Sequence, residues 1–194
     1  MILRTQAPAR VLLVDPPWRF RDQLPGETRG AAKNYRTLSV EQIMRFPLPA
    51  FEQDAILFLW RVASMPQEAL DVVRCWGFKV KSEIIWEKLT KTGKPWIGMG
   101  HYVRASHESC LIATRGKFKV ADRSVRSRFE ARCPIDDQGR YIHSAKPPEF
   151  YEIVEKLSGR GPYVELFSRG FRPGWTSFGD QLPGMKPQTE TPAP

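Results

Sequence analysis

Residues 11–18 read Val-Leu-Leu-Val-Asp-Pro-Pro-Trp, an apolar run that ends in an acidic residue, two prolines and an aromatic ring. The unbroken apolar run predicts a buried strand with both faces covered. The prolines must end that strand, which places Asp15 at the edge where open α/β sheets bind their ligands. Taken alone, an Asp-Pro-Pro turn is more often a simple strand end than a functional site.

The residue types at this turn suit a flat base that carries an amino group. The Asp15 carboxylate can accept one amine hydrogen and the backbone carbonyl of Pro16 the other, which localises the nitrogen lone pair. We expect Trp18 to stack on the base, a contact worth about 1–3 kcal/mol in single-stranded nucleic acid binding. The turn therefore predicts a site for the exocyclic amine of adenine.

Size and composition limit the classes of protein. The 194 residues carry a net charge of +9, which favours a polyanionic partner but also fits a merely soluble basic protein. We expect one domain over residues 1–182 and a disordered, proline-rich tail over 183–194. Three scattered cysteines (Cys75, Cys110 and Cys133) predict no disulfide framework, no metal site and a reduced, cytoplasmic compartment. No run approaches the roughly 20 apolar residues of a membrane span, so no membrane contact is expected.

Strand and helix patterns alternate along the chain. The predicted strands cover residues 11–15, 54–60, 79–88, 107–114 and 163–167, and the predicted helices cover 39–46, 67–76 and 147–157. We expect Ser39 and Gln42 to form a capping box, Ser64 to cap the second helix and Gly159 to end the third. This alternation predicts an α/β fold with a mostly parallel, doubly wound sheet.

Three segments interrupt the regular pattern. Residues 19–37 and 90–104 are long enough to be active-site loops that close over a ligand, or simply disordered. Residues 115–132 hold seven Arg and Lys residues against two acidic ones. Such a segment either binds phosphates or forms a solvated surface, and the residues favour neither.

Eight short motifs follow one another in a fixed order. They are DPPW at 15–18, YRT at 35–37, FLW at 58–60, EIIW at 83–86, GHY at 100–102, HE at 107–108, SAKP at 144–147 and ELFSR at 165–169. Over about residues 10–182 the series resembles the DPPW-type adenine-N6 methyltransferases, the family of the catalytic subunit that methylates adenosine in eukaryotic messenger RNA. The chain looks like a short prokaryotic or phage-type member.

The resemblance implies a Rossmann-like, S-adenosylmethionine-dependent methyltransferase fold with a circularly permuted motif order. The implied reaction is in-line methyl transfer to the N6 amine of adenine, on a flipped base or a single strand. Nucleic acid is the implied partner, and we expect DNA rather than RNA by analogy with phage-type members. Relatives pair with like subunits, which makes a homodimer one expected form. An RNA methyltransferase and a non-catalytic nucleic-acid-binding subunit are the alternatives.

The resemblance also assigns roles to individual residues. The implied catalytic residues, which hold the amine and shape the base pocket, are Asp15, Pro16, Pro17 and Trp18. The implied substrate-binding residues are Tyr35, Arg36, His107 and Glu108. The implied cofactor-binding residues are Asp15, Pro17, Lys146, Arg169, Asp180 and Gln181. Lys146 would pair with the cofactor carboxylate, Arg169 would lie near its ribose and Gln181 near its adenine. Residues 170–173 depart from the family pattern, which leaves the ribose contacts open.

Some assignments have plainer alternatives. Lys146 could be a solvated residue at a helix start, although a cation beside a helix N-terminus also suits an anionic ligand. His101 and His107 have no metal-ligand spacing, so we expect structural hydrogen bonds from them and no metal. Trp60 and Trp86 are expected in the core.

Overall fold

The structure, a computed structural model, describes residues 3–19, 37–100 and 102–184. The strands in these ranges are β1 (Ala9–Val14), β2 (Phe51–Arg61), β3 (Lys79–Leu89), β4 (His107–Arg115), β5 (Arg128–Arg132), β6 (Tyr163–Leu166) and β7 (Trp175–Phe178). The helices are α1 (Val40–Met44), α2 (Pro66–Cys75) and α3 (Glu149–Ser158). In the part of the chain so described, none of the helices has the length and apolar character needed to cross a bilayer.

All seven strands join one sheet in the order β5-β3-β4-β2-β1-β6-β7. β1 pairs in parallel with β2 and β6, β6 with β7, and β3 with β5. Only β4 among these strands runs antiparallel to its neighbours, β2 and β3. The mostly parallel α/β sheet predicted from the sequence is therefore confirmed.

Helices cover both faces of the sheet. Leu12 and Val14 of β1 pack in one apolar cluster with residues of α1 and α2, whereas Val11 and Leu13 pack in a second cluster with residues of α3. Successive side chains of a strand point to opposite faces, so a strand buried on both faces needs the unbroken apolar sequence of β1. The doubly wound arrangement is confirmed.

The helix ends follow the local sequence in two of three cases. The Ser39 hydroxyl accepts from the backbone N–H of Gln42, whose side chain accepts from the N–H of Ser39, which is the predicted capping box. Gly159 ends α3 with φ of 73°, as expected. The expectation for Ser64 was wrong: Met65 is the N-cap of α2 and offers no side-chain acceptor, and Pro66 begins the helix without needing a partner for an N–H.

Two short strands were missing from the sequence prediction. β5 lies inside the basic segment, where exposed Arg128, Glu130 and Arg132 alternate with the inward-facing Phe129 and Ala131. The many charged residues of this segment obscured an alternation of exposed and inward-facing side chains that is only five residues long. β7 has four residues and pairs with β6, so β6 is not the last strand of the sheet.

Some sequence predictions fall outside the described residues. They concern Tyr35, Arg36 and His101, and the tail beyond Gly184.

Replacing Phe150 with Ala should test the packing of α3 on the sheet. Phe150 is fully buried, and its ring centroid lies 4.5 Å from that of Trp60 and 5.8 Å from that of Phe129. We expect a loss of about 3–5 kcal/mol in the free energy of unfolding, measured with urea, because the cavity cannot fully collapse. Phe171→Ala is the control, since Phe171 is 67% exposed. Equal stability of the two variants would contradict this packing.

Candidate active site

The carboxyl edge of the sheet, where β1, β2, β3 and β6 end and β4 begins, brings four charged side chains together. Asp15 directly follows β1, Lys88 lies near the end of β3, and Glu108 is the second residue of β4. Lys146 comes from the segment before α3. The fold therefore brings together residues that are up to 131 positions apart in sequence.

These side chains form a row of alternating charge, which we call the charge row. The Nζ atom of Lys146 lies 2.7 Å from Oδ2 of Asp15 and 3.4 Å from Oε2 of Glu108. The Nζ atom of Lys88 lies 2.8 Å from Oε1 of Glu108. With two lysines and two carboxylates, the row has no net charge when all four groups are ionised.

Lys146 has no donor to spare in this arrangement. Its ammonium group has three N–H donors, and its neighbours are Asp15, Glu108 and the backbone carbonyl of Ser144 at 3.0 Å. The ring of Trp60 lies 5.2 Å from Nζ, close enough for a cation–π contact. The anion beside Lys146 is thus the protein's own Asp15. A cofactor carboxylate would have to displace one of these acceptors.

The electrostatics of the row follow from burial and pairing. Burial raises the pKa of Asp15 above its usual value, and the nearby Lys146 only partly opposes this. Burial also raises the pKa of Glu108, but Lys146 and Lys88 together outweigh it and hold that pKa below its usual value. For Lys146, burial disfavours the charge, but Asp15 and Glu108 more than compensate and raise its pKa. The lysine therefore stays charged at every pH at which the fold would be studied.

The backbone of the DPPW turn is held by hydrogen bonds. The N–H of Trp18 donates to the carbonyl of Pro16 at 2.8 Å. The carbonyl of Pro17 accepts from the N–H of Leu38 at 2.8 Å, and the N–H of Arg19 donates back to the Leu38 carbonyl at 2.9 Å. The turn is thereby fixed to the segment that leads into α1, which orients Asp15 relative to the sheet.

Trp18 does not have the exposed ring that stacking requires. It is 6% exposed, packs in the cluster shared by α1 and α2, and donates its indole N–H to the carbonyl of Trp60 at 2.9 Å. This placement favours the other role that the resemblance implies for Trp18, that of shaping the pocket. Trp60 and Trp86 are 2% and 1% exposed, which confirms their expected place in the core.

Arg169 lies close to the charge row. It follows β6, and its guanidinium donates to the carbonyl of His143 at 2.6 Å. Its charge also reaches Asp15, where it acts to lower the carboxyl pKa against the larger effect of burial. The structure thus places Asp15, Lys146 and Glu108 in one row with Arg169 beside it.

The other predicted residues lie further out. His107 is exposed at the first position of β4, and Asp180 and Gln181 are exposed just after β7. Within the described ranges, no side-chain hydrogen bond or ion pair joins any of the three to the charge row. In those same ranges, no group of three His, Cys, Asp or Glu side chains is placed to hold a metal ion.

Lys88 was missed by the sequence reasoning. Its signal exists only after strand pairing, because β3 and β4 are antiparallel with Trp86 opposite Glu108. That register places Lys88 diagonally across from Glu108, within reach of a long side chain. Its Nζ atom also lies 5.0 Å from the ring of Trp86 and 5.6 Å from that of Trp96.

A family model described as MT-A70 matches residues 9–181 of the chain. The chain belongs to the MT-A70 family. The matched range contains every strand from β1 to β7, so the seven-stranded sheet is the Rossmann-like methyltransferase fold of the MT-A70 family.

Curated relatives are similar along most of this chain. A Drosophila melanogaster protein named N(6)-adenosine-methyltransferase MT-A70-like protein is 28% identical over 184 residues, covering 91% of this chain and 27% of the relative. The human N(6)-adenosine-methyltransferase catalytic subunit METTL3 is 27% identical over 183 residues, covering 90% and 28%. The mouse N(6)-adenine-specific methyltransferase METTL4 is 27% identical over 183 residues, covering 88% and 37%. This MT-A70 chain therefore spans between 27% and 37% of the length of these relatives.

Replacing Lys146 with Met in this MT-A70 chain should leave Asp15 without its cation and Glu108 with Lys88 alone. We expect a loss of about 2–4 kcal/mol in the free energy of unfolding near neutral pH, because Asp15 and Glu108 would lose their shared cation. Without Lys146 the pKa of Asp15 would rise further above its unfolded value, so the loss should shrink as the pH falls and Asp15 takes up a proton. The measurement is urea unfolding across the acid range.

The matched control is Lys156→Met. Lys156 is paired with Asp122 on the surface, with 56% of its side chain exposed, so its removal should change stability little at any pH. A Lys146→Met penalty that is as small as the control's, or that grows as the pH falls, would contradict the charge row as described.

Proposed function

We propose that this MT-A70 chain transfers a methyl group from S-adenosylmethionine to the N6 amine of adenine. The observation that carries the proposal is the Asp15 carboxylate at the end of β1, held by Lys146 at 2.7 Å and adjacent in sequence to the carbonyl of Pro16. The family match supports this chemistry. So do the names of the relatives, which are N(6)-adenosine and N(6)-adenine-specific methyltransferases.

Asp15 and Pro16 together hold the two amine hydrogens in this proposal. A carboxylate has about four lone-pair sites, so the single contact from Lys146 leaves Asp15 able to accept another hydrogen. The Pro16 carbonyl accepts one bond from the N–H of Trp18 and has a second lone pair. Two acceptors on the amine draw its lone pair out of the ring and aim it for attack.

Lys146 acts through Asp15. By holding Oδ2 it fixes the carboxylate orientation and favours the ionised state that the amine requires. Asp15 then stabilises the positive charge that develops on the amine nitrogen, which is a preorganised electrostatic contribution to catalysis. Asp15 need not be a strong base, because the methylated amine becomes acidic once it is positively charged.

The chemistry of the carboxyl edge fits the cofactor. When bound, S-adenosylmethionine would supply a methyl group on a positively charged sulfur. Asp15 offers a carboxylate to that positive charge, Arg169 a cation to anionic or hydroxyl groups, and Gln181 an exposed amide for a ribose or a base. Lys146 can meet the cofactor carboxylate only by giving up an acceptor, and Glu108, at 3.4 Å, is the more distant of its two carboxylate partners.

The basic segment supports a nucleic-acid substrate. Seven of the chain's basic residues lie in residues 115–132, and residues 126–130 line a surface cavity of about 470 Å³. Backbone phosphates would bind there, while the target base is flipped or already unpaired, because the N6 amine is inaccessible inside a duplex. By family analogy, we extend the proposal to DNA as substrate, to a prokaryotic or phage-type member of the family, to a cytoplasmic location and to a homodimer.

Asp15→Asn tests the proposal most directly. The amide keeps the shape of the carboxylate but loses its charge, so we expect methyl transfer to fall by a factor of about 10²–10³. Binding of S-adenosylmethionine, measured by calorimetry, should weaken much less than methyl transfer, because Arg169 and Gln181 are unchanged. The assay follows radiolabelled methyl transfer, with Asp137→Asn at an exposed position as the control. Comparable turnover by Asp15→Asn and the control would refute the role of Asp15.

The same assay separates the possible substrates. Matched single-stranded DNA and RNA oligonucleotides should both be tested, and we expect faster methylation of the DNA. Faster methylation of the RNA would overturn the choice of DNA and leave the amine chemistry standing. Failure of the unaltered chain to bind S-adenosylmethionine would overturn the enzyme proposal and favour a non-catalytic subunit.

The pH dependence of kcat/KM should report the state of Asp15. Burial raises the pKa of this carboxyl above the usual 3.8. When the pH is lowered, Asp15 should therefore take up its proton, and activity should be lost, before the pH reaches 3.8. Lys146→Gln removes the main opposing influence, so the acid limb should move to still higher pH. An acid limb that stays in place or moves lower would contradict the coupling of Asp15 to Lys146. Circular dichroism at each pH guards against unfolding.

A further inference from the structure

A buried carboxylate lies beside the charge row without joining it. Glu165 sits on β6, the strand next to β1, and is 7% exposed. The Tyr151 hydroxyl of α3 donates to its Oε1 atom at 2.7 Å. Its Oε2 atom lies 2.9 Å from Oγ of Ser168, and that Oγ lies 2.7 Å from the carbonyl oxygen of Gly170.

A count of the available hydrogens indicates the charge of Glu165. The three oxygen–oxygen contacts have hydrogen-bond lengths, and each needs one hydrogen. Tyr151 supplies one, Ser168 supplies one, and the Gly170 carbonyl has none to give. An ionised Glu165 would leave two acceptors facing each other without a proton. A third hydrogen on Glu165 itself, as a neutral carboxylic acid, would satisfy all three contacts.

The surroundings agree with the proton count. Burial is the largest influence and raises the pKa of Glu165, while the hydroxyls of Tyr151 and Ser168 act in the opposite direction. The charged groups that face it are Asp15 at the end of β1, which favours the neutral form, and Arg172, which disfavours it. No cation is in direct contact with Glu165 among the described residues, in contrast to Asp15 with its lysine.

Ser168 is the point where this chain of hydrogen bonds reaches the site. It precedes Arg169, and its N–H donates to the carbonyl of Phe178 at 3.0 Å. A Cβ added to Gly179 would lie 2.0 Å from the Ser168 carbonyl oxygen, so only glycine fits against this backbone. Gly179 in turn precedes Asp180 and Gln181. The position of Ser168 therefore sets the positions of the two segments that carry the predicted cofactor residues.

We propose that Glu165 is a neutral positioning residue. Its proton makes a hydrogen bond to Ser168, whose own hydroxyl hydrogen then donates to Gly170. These bonds fix the segments that follow Ser168 and Gly179 in the positions that the cofactor requires. The inference rests on the proposed function, because it assigns Glu165 a role in positioning residues for the same cofactor. The carboxyl edge then holds an ionised carboxylate, Asp15, and a protonated one, Glu165, on adjacent strands.

The protonation state can be measured without any activity. The chain labelled with ¹³C at the Glu side-chain carboxyl carbon would be titrated by NMR, with Glu165→Gln used to assign the resonance. We expect the Glu165 signal to have the chemical shift of a carboxylic acid at neutral pH. A carboxylate shift at neutral pH overturns the proposal. Glu152→Gln, at an exposed position on α3, controls for the loss of one carboxyl group.

Cofactor binding tests the positioning role. Glu165→Gln keeps every contact, because its amide oxygen can accept from Tyr151 and its amide nitrogen can donate to Ser168. We expect it to bind S-adenosylmethionine as the unaltered chain does. Ser168→Ala breaks the chain of bonds and should weaken binding about fivefold. Tyr151→Phe, which leaves the bond to Ser168 in place, should weaken binding less than Ser168→Ala.

The pH dependence of binding distinguishes positioning from simple structural support. Affinity of the unaltered chain should fall as the pH rises through the raised pKa of Glu165, whereas Glu165→Gln should show no such step. A step that persists in Glu165→Gln, or weaker binding by that variant at neutral pH, overturns the proposal. If no variant and not even the unaltered chain binds S-adenosylmethionine, the proposed function fails, while the NMR titration still decides the charge of Glu165.

Discussion

The contact between Lys146 and Asp15 is the constraint on which the site depends. It joins the end of β1 to the segment before α3, so it exists only when β1 lies in the sheet and α3 packs on one face. A buried carboxylate without a cation is costly, and a buried lysine without an anion is equally costly. Each group therefore stabilises the fold in which the other lies beside it. The aromatic core under α3 supports the same geometry, because Trp60 packs against Phe150 and lies below the ammonium of Lys146.

The features that could be predicted from the sequence are those that depend on residues adjacent in the chain. The capping box of Ser39 and Gln42 needs four consecutive positions, and the end of β1 needs one run of apolar residues followed by Pro16. Strand pairing is a different kind of information. Lys88 meets Glu108 only because β3 and β4 are antiparallel in one register, and five-residue β5 forms only because β3 offers it an edge. Neither pairing can be recognised from the local sequence.

Roles were harder to predict than positions. The resemblance drew attention to Trp18 and Lys146, and both lie at the carboxyl edge of the sheet. Their partners could not be deduced without coordinates. A tryptophan after a strand can stack on a ligand or anchor the turn, and burial to 6% exposure favours the anchor. A lysine before a helix can bind a cofactor or a neighbouring carboxylate, and the three acceptors around Lys146 favour the second role.

The distribution of charge separates two tasks that the proposed function requires. The chain carries +9 overall, yet the charge row sums to zero and the proposed neutral Glu165 adds nothing to it. A neutral row does not attract phosphates, and it suits a base that has no charge of its own. In the proposed function the attraction for a polyanion would arise instead from residues 115–132, through contacts that are sensitive to salt and indifferent to sequence. Binding energy and amine recognition would then be carried by different residues, so salt should weaken substrate binding without disturbing the geometry around Asp15.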